Sequence, residues 1–248
     1  MDLLFPRQCL GCETLLSNNN ESHICSACLA GIKMKNNFAC AFCNSPVVGG
    51  KTCPFCRADH FLDRLFVMTS YENPLVEKII KTMKYRFARS LAGDMARLMA
   101  KYLERRFSPG FNIDRGSTVV VPVPLHRRRL NWRGFNQAEI IGGEIAEFFG
   151  WPIIADALKR VRDVKPQAKM PDRQSRIANA KNIFEFHSPN YGSPTSIVGT
   201  SASLVGKTIL LIDDVSTTGS TLDDCARALK GAGAKEIIGF VFASPHTY

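Results

Sequence analysis

The chain has 248 residues, with 32 Lys and Arg against 22 Asp and Glu, a formal net charge of +10. That length suffices for one full domain with a small appendage, or for two small domains. Hydrophobic residues at 45% with 22% charged exclude a wholly disordered chain, and no run approaches the 18 or more apolar residues of a membrane span.

The first residues, Met1 to Pro6, lack the basic flank and long apolar run of a signal peptide, so a cytoplasmic location is expected. Residues 1–60 are turn-rich and carry four Cys-x-x-Cys pairs: Cys9/Cys12, Cys25/Cys28, Cys40/Cys43 and Cys53/Cys56. Cys225 stands alone near the far end, a distribution that favours reduced thiols over a secreted disulfide framework. Two residues between cysteines let both sulfurs reach one ion from a tight turn, and four such sulfurs satisfy tetrahedral Zn²⁺ with no open position. A segment this poor in apolar residues buries too little area to fold alone, whereas zinc contributes roughly 10–16 kcal/mol per site in zinc-finger peptides. Two structural zinc ions are therefore expected, in a domain spanning residues 1–60. An iron–sulfur site and a thiol relay are the competing uses of this spacing. Pairing in sequence is expected, and an interleaved cross-brace fits the same gaps. Cys225 reads as a small buried hydrophobe.

Residues 61–248 read as a second, larger domain. A strand is expected over Leu65–Tyr71, then a turn at Glu72-Asn73-Pro74 with Asn73 as N-cap and Pro74 in the first helical position. Leu75, Val76, Ile79, Ile80 and Met83 follow helical spacing, with Lys78, Lys81 and Lys84 on another face. A second helix is predicted from about Leu91 to Phe107, a short buried strand at Thr118–Val123, and a helix from Asn136 to Phe149 that ends before Gly150. Residues 160–182 read as a basic loop, Ile183–Phe186 as a strand, and 188–203 as a Ser/Gly/Thr/Pro-rich stretch without core pattern. A strand (Thr208–Ile212), a helix (about Ser220–Lys230) and a strand (Glu236–Phe242) close the chain. Alternating elements with continuously apolar strands imply an α/β fold, a mostly parallel sheet with helices on both faces.

The basic excess is local. Residues 78–133 carry fourteen Lys and Arg against three acids, and residues 159–181 eight against two. Two basic zones separated by acidic ones suit a localised anionic partner. Lys78, Lys81, Lys84, Arg86 and Arg89 are candidate contacts to nucleic acid, and Trp132 and Phe135 are either core or stacking platforms for unpaired bases. His126 reads as a capping or solvated histidine before a general base.

The most specific chemistry lies at Ile209 to Thr221, where a buried strand delivers Asp213 and Asp214 at its C-terminal end, the edge at which open α/β sheets bind ligands. Ser216, Thr217, Thr218, Gly219, Ser220 and Thr221 follow, hydroxyls and helix-start N–H groups that form an anion cradle. Acids followed at once by such a cradle suit a ribose whose hydroxyls face the carboxylates and whose 5′-phosphate sits in the loop. A Walker loop needs Gly-Lys-Ser/Thr and no leading acids, and does not fit.

This segment resembles the phosphoribosyl pyrophosphate (PRPP) signature of type I phosphoribosyltransferases, with Ser216 where many members have an aliphatic residue. More widely, Val121 to Leu125, Arg127-Arg128-Arg129 and Arg133-Gly134-Phe135-Asn136-Gln137, with the CxxC ribbons ahead of them, are similar to the ComF competence family, as is the basic loop carrying Arg160, Gln167, Arg173, Arg176 and Asn179. The likeness covers essentially the whole chain except 188–203. It implies a type I phosphoribosyltransferase-like domain behind a double zinc ribbon, acting in the cytoplasm on single-stranded DNA during natural transformation. It further implies Asp213 and Asp214 on the ribose hydroxyls and Ser216 to Thr221 on the 5′-phosphate. Magnesium would bind with PRPP, and Arg127, Arg128, Arg129, Arg133, Arg173 and Arg176 would face pyrophosphate. No residue is identified as a catalytic acid or base. Two alternatives stay open: an active phosphoribosyltransferase with an unknown acceptor, and a zinc-ribbon adaptor for a competence helicase or other DNA-processing protein.

Overall fold

The computed structural model describes residues 7–16, 22–85, 89–106, 113–114, 116–161, 182–187 and 203–245. Two short helices, α1 (Ser26–Ala30) and α2 (Pro54–Arg57), lie in the cysteine-rich segment. They are followed by β1 (Arg64–Ser70), α3 (Pro74–Tyr85), α4 (Ser90–Arg106), β2 (Thr118–Pro122), α5 (Arg127–Arg133) and α6 (Gln137–Phe149). The remaining elements are β3 (Leu158–Arg160), β4 (Phe184–Phe186), β5 (Thr208–Val215), α7 (Ser220–Gly231) and β6 (Glu236–Ser244).

Four strands pair in parallel in the order β1-β6-β5-β2. Alternate side chains leave opposite faces of a strand, and both faces are buried here. Phe66, Met68, Val120, Leu210, Ile212, Ile238 and Phe240 share one core with the apolar stripes of α3, α4 and α6. Leu65, Val67, Val119, Val121, Ile209, Leu211 and Val241 share the other with α7, Leu158 and Phe184. This double burial is why the strands read as unbroken apolar runs. The second face is completed by α7 and the antiparallel β3–β4 pair.

Local signals operate as expected at α3, where Asn73 Oδ1 accepts the N–H of Leu75 at 2.9 Å, and at α6, where Asn136 Oδ1 accepts from Ala138. Three features differ from the sequence expectation. Arg127–Arg133 is a helix without apolar periodicity, capped by His126, whose ring accepts the Arg128 N–H at 3.2 Å, and stopped by Gly134 at φ 78°. The segment from Leu158 pairs with Phe184–Phe186 as a strand before the loop begins. β5 runs past Ile212, because Asp213 and Val215 still pair with Val241 and Ala243 of β6. The acids therefore stand in the sheet rather than in the turn after it.

The cysteine-rich segment joins the same core. Cys9, Ile24 and Ile32 are buried with Phe66, Met95 and Tyr102, His23 N–H donates to Asp94 of α4, and Lys35 N–H donates to the Met68 carbonyl at 2.7 Å. Among the described residues, no helix is long and apolar enough to cross a membrane.

Candidate functional site

The eight cysteines assemble in sequence into two groups, Cys9/Cys12/Cys25/Cys28 and Cys40/Cys43/Cys53/Cys56, with the sulfurs of each within 4.8 Å of one another. All are free thiols. Backbone N–H groups of Gly11 and Cys25 point at Cys9 Sγ, at 3.4 and 3.2 Å. Burial would raise the Cys9 thiol, but N–H donation from Cys25, Cys12 and Gly11 wins and lowers it to about 6. The Ser45 hydroxyl and N–H bring Cys43 to about 6 as well. The neighbouring Cys25 sulfur pushes Cys28 up to about 12, and burial with the crowding thiols pushes Cys56 up. Four sulfurs this close cannot all ionise on their own, and a divalent cation shared among them removes the conflict. That donor set is the one Zn²⁺ takes in closed structural sites, so the two clusters suit two zinc ions.

The acid pair stands where β5, flanked by β6 and β2, reaches its C-terminal end. Asp214 is 3% exposed and ion-paired with Lys84 at 2.6 Å, Nζ to Oδ2. Its other oxygen accepts from Gln137 Nε2 at 3.3 Å, and Gln137 Oε1 accepts in turn from Arg133. Arg133 is buried, and its Nε has no hydrogen-bond partner among the described residues. Asn136 Nδ2 donates to the Val123 carbonyl, pinning the start of α6 to the end of β2. Burial, then the Asp214 charge beside it, hold the Asp213 carboxyl well above the usual carboxylate range. Burial would also raise Asp214, but the Lys84 ammonium outweighs it and holds Asp214 below that range. The two carboxyls thus shift in opposite directions, with Lys84 directly on Asp214 and Arg133 one hydrogen-bonded residue away through Gln137.

Beyond the acids, Ser216 is buried and its N–H donates to the Ala243 carbonyl at 3.2 Å. Thr217 and Thr218 are exposed, and Thr218 Oγ1 lies 2.9 Å from Ser220 Oγ. Gly219, at φ 74°, is the N-cap of α7 and offers no side chain to its first-turn N–H groups. Hydroxyls and N–H dipoles thus converge at the positive end of a helix, an arrangement suited to phosphate.

The other expected residues fall in three places. Lys84 and Arg133 come together at the acid pair, and so does Gln137. Arg127, Arg128 and Arg129 lie exposed on α5. Lys78 and Lys81 lie on the outer face of α3, paired with Glu13 and Glu77. Trp132 is 54% exposed and Phe135 half-buried against the core. Trp132 stands edge-on to Tyr85 with ring centres 6.0 Å apart, which brings α3 and α5 together beside the acids. Arg89 is exposed. Arg86, Arg173, Arg176, Gln167 and Asn179 lie outside the described residues.

Residues 1–57 match the double zinc ribbon domain, and residues 155–248 match the phosphoribosyl transferase domain. The chain is 26% identical to competence protein F of Haemophilus influenzae over 236 residues, 94% of this chain and 95% of that protein. It is 28% identical over 239 residues to the DNA utilization protein YhgH of Salmonella typhimurium, covering 95% and 96% of the two chains. With competence protein ComFC of Bacillus subtilis the identity is 24% over 224 residues, 86% of this chain and 80% of that one. At 24–28% identity over most of its length, with matches to the double zinc ribbon and phosphoribosyl transferase domains, the chain is a homologue of the ComF, ComFC and YhgH proteins.

Proposed function

We propose that the chain binds PRPP with magnesium at the β5–α7 junction and single-stranded DNA on the adjoining face of α3 and α5, in a competence-type role on incoming DNA inside the cell. The observation that carries the first half is the continuous run of acid pair, hydroxyl loop and uncapped helix start on one strand end. In this reading Asp213 and Asp214 hold the ribose hydroxyls, and Ser216 to Thr221 take the 5′-phosphate. Lys84, Arg133 and the α5 arginines face the pyrophosphate. Mg²⁺ takes oxygen ligands from one or two carboxylates and substrate phosphates, a donor set this site has, and when bound it would neutralise pyrophosphate charge. Lys84 would then share or yield its place on Asp214. For DNA, the support is the exposed Tyr85–Trp132 ring pair beside Lys81, since rings and cations along one face suit unstacked bases and their phosphates. The names of the relatives support a role in competence and DNA utilization.

Calorimetry of PRPP with Mg²⁺, with and without a single-stranded oligonucleotide, tests both halves. Binding is expected for the parent and loss of it for Asp213→Asn and Asp214→Asn, with zinc content still two. No heat in the parent overturns the PRPP assignment. The DNA affinity should fall with salt at a slope near −0.7 per neutralised phosphate, about 0.7 less steep for each contacting cation removed. A flat salt dependence overturns the DNA half. The phosphoribosyl transferase match also favours a second reading, transfer of the phosphoribosyl group to an acceptor. Labelled PRPP with candidate acceptors decides it by pyrophosphate release.

A further inference from the structure

The second cysteine cluster touches the sugar-phosphate loop. The turn between Cys40 and Cys43 consists of Ala41 and Phe42, and it seats on Gly219. A Cβ built at Gly219 would lie 3.2 Å from Phe42 Cε1 and 3.4 Å from the Ala41 carbonyl oxygen. A Cβ there would be tighter than ordinary packing, so the glycine supplies both the positive φ and the close approach.

A second strut closes a ring around this contact. The Phe42 ring stacks on His60 with centres 3.4 Å apart and 5° between planes. His60 Nδ1 meets Asp223 Oδ2 at 2.8 Å. The other Asp223 oxygen accepts the N–H groups of Phe61 and Leu62, at 2.7 and 3.0 Å. Asp223 belongs to the first turn of α7, where its own N–H donates to the Gly219 carbonyl at 2.8 Å. The circuit runs Phe42, Gly219, Asp223, His60 and back to Phe42. Two of its links, Phe42 to Gly219 and Asp223 to His60, join the cysteine-rich segment to the helix start that presents the anion cradle.

The first cluster has no such link among the described residues. Its turn lies against the start of α3, where a Cβ at Gly11 would meet Leu75 at 3.3 Å and Glu13 pairs with Lys78, and His23 bonds to α4. The two clusters are therefore not equivalent supports.

We propose that Phe42, held by the second cluster, is a positioning residue for the phosphate loop. The chain's affinity for the 5′-phosphate of PRPP then depends on metal at Cys40, Cys43, Cys53 and Cys56, and bound PRPP retards metal loss from that cluster. The inference rests on the reading of Ser216 to Thr221 as the phosphate cradle. A metal held by the four sulfurs would fix the shape of the Cys40–Cys43 turn, and through it how far Gly219 and the α7 start can move. Coupling of equilibrium affinities is reciprocal, so PRPP must raise the cluster's metal affinity by the factor by which metal raises PRPP affinity.

The test uses the full zinc-loaded chain and the variants Phe42→Ala and Phe42→Tyr. In the parent, saturating Mg²⁺ and PRPP should slow transfer of one of the two zinc equivalents to a chromogenic chelator about tenfold, leaving the other equivalent faster. Phe42→Ala should keep two zinc ions, bind PRPP about tenfold more weakly and lose the protection, while Phe42→Tyr, which keeps the stacked ring, restores both. Hydrogen exchange over residues 216–224 should quicken in Phe42→Ala more than over 91–103. If the parent binds PRPP but neither equivalent is protected, or Phe42→Ala binds PRPP as the parent does, the proposal is overturned. If the parent does not bind PRPP, it is the cradle reading that fails. Exchange over 216–224 then still decides the contact, and an unchanged rate in Phe42→Ala overturns it.

Discussion

Lys84 and Asp214 come from distant parts of the chain, yet their pairing sets the charge state of the acid site. The two adjacent carboxyls shift in opposite directions because only Asp214 touches the ammonium. Asp213, raised by burial and by its neighbour, contributes stability that is complete below the ordinary carboxylate range and is lost as pH rises through its raised value. Asp213→Asn removes that loss, so at pH 7 this variant should melt above the parent. The gain should close as pH falls through the ordinary Asp value, about 3.9, and vanish below it, where the parent carboxyl is neutral folded and unfolded alike. Asp214 has the reverse sign: held low by Lys84, it contributes stability above the ordinary range that is lost on acidification. Asp214→Asn leaves the Lys84 ammonium without its partner and should cost about 3 kcal/mol at pH 7 in denaturant titrations. A parent-like Asp214→Asn, or an Asp213→Asn that melts lower, would reverse the assignment of charge between the two. The acids were legible in the sequence as an adjacent pair on a strand end. Lys84 was not distinguishable from Lys78 and Lys81, because helical spacing places all three on one stripe and only the packing of α3 turns the last of them inward.

At the scale of elements, α7 is the hub of the site. Its N-terminus presents the loop, and its buried Asp224 accepts the N–H groups of Asn182, Ile183 and Phe184 at 2.9, 2.7 and 2.9 Å. That carboxylate anchors β4, the returning end of the basic segment, to the helix that carries the cradle. Asp224→Ala would strand three donors and a neighbouring Arg227, and should lower stability by roughly 3 kcal/mol, measurable by urea denaturation. A loss below about 0.5 kcal/mol would mean that water replaces the carboxylate at no cost. In sequence, Asp223 and Asp224 are indistinguishable from ordinary acids in a helix's first turn. Helix α5 was equally hidden. Three consecutive arginines carry no apolar period, and the helix exists because His126 caps it and Gly134 ends it.

At the scale of the molecule, the first cysteine group is part of the main core rather than an appendage, since Cys9 and Ile24 are 1% exposed beside Phe66 and Tyr102. Stripping metal should therefore lower the melting temperature of the α/β part as well, read from its helical circular dichroism. An unchanged α/β transition would show the cysteine-rich segment to be mechanically independent. Spacing and alternation, which act over a few residues, were enough to determine four thiol pairs, a parallel sheet buried on both faces, and an acid pair followed by an anion loop. Which thiols pair, which lysine meets Asp214, and that Phe42 rests on Gly219 are contacts between segments far apart in the chain. Their energies depend on how helices and ribbons pack on the sheet, and only the tertiary structure decided them.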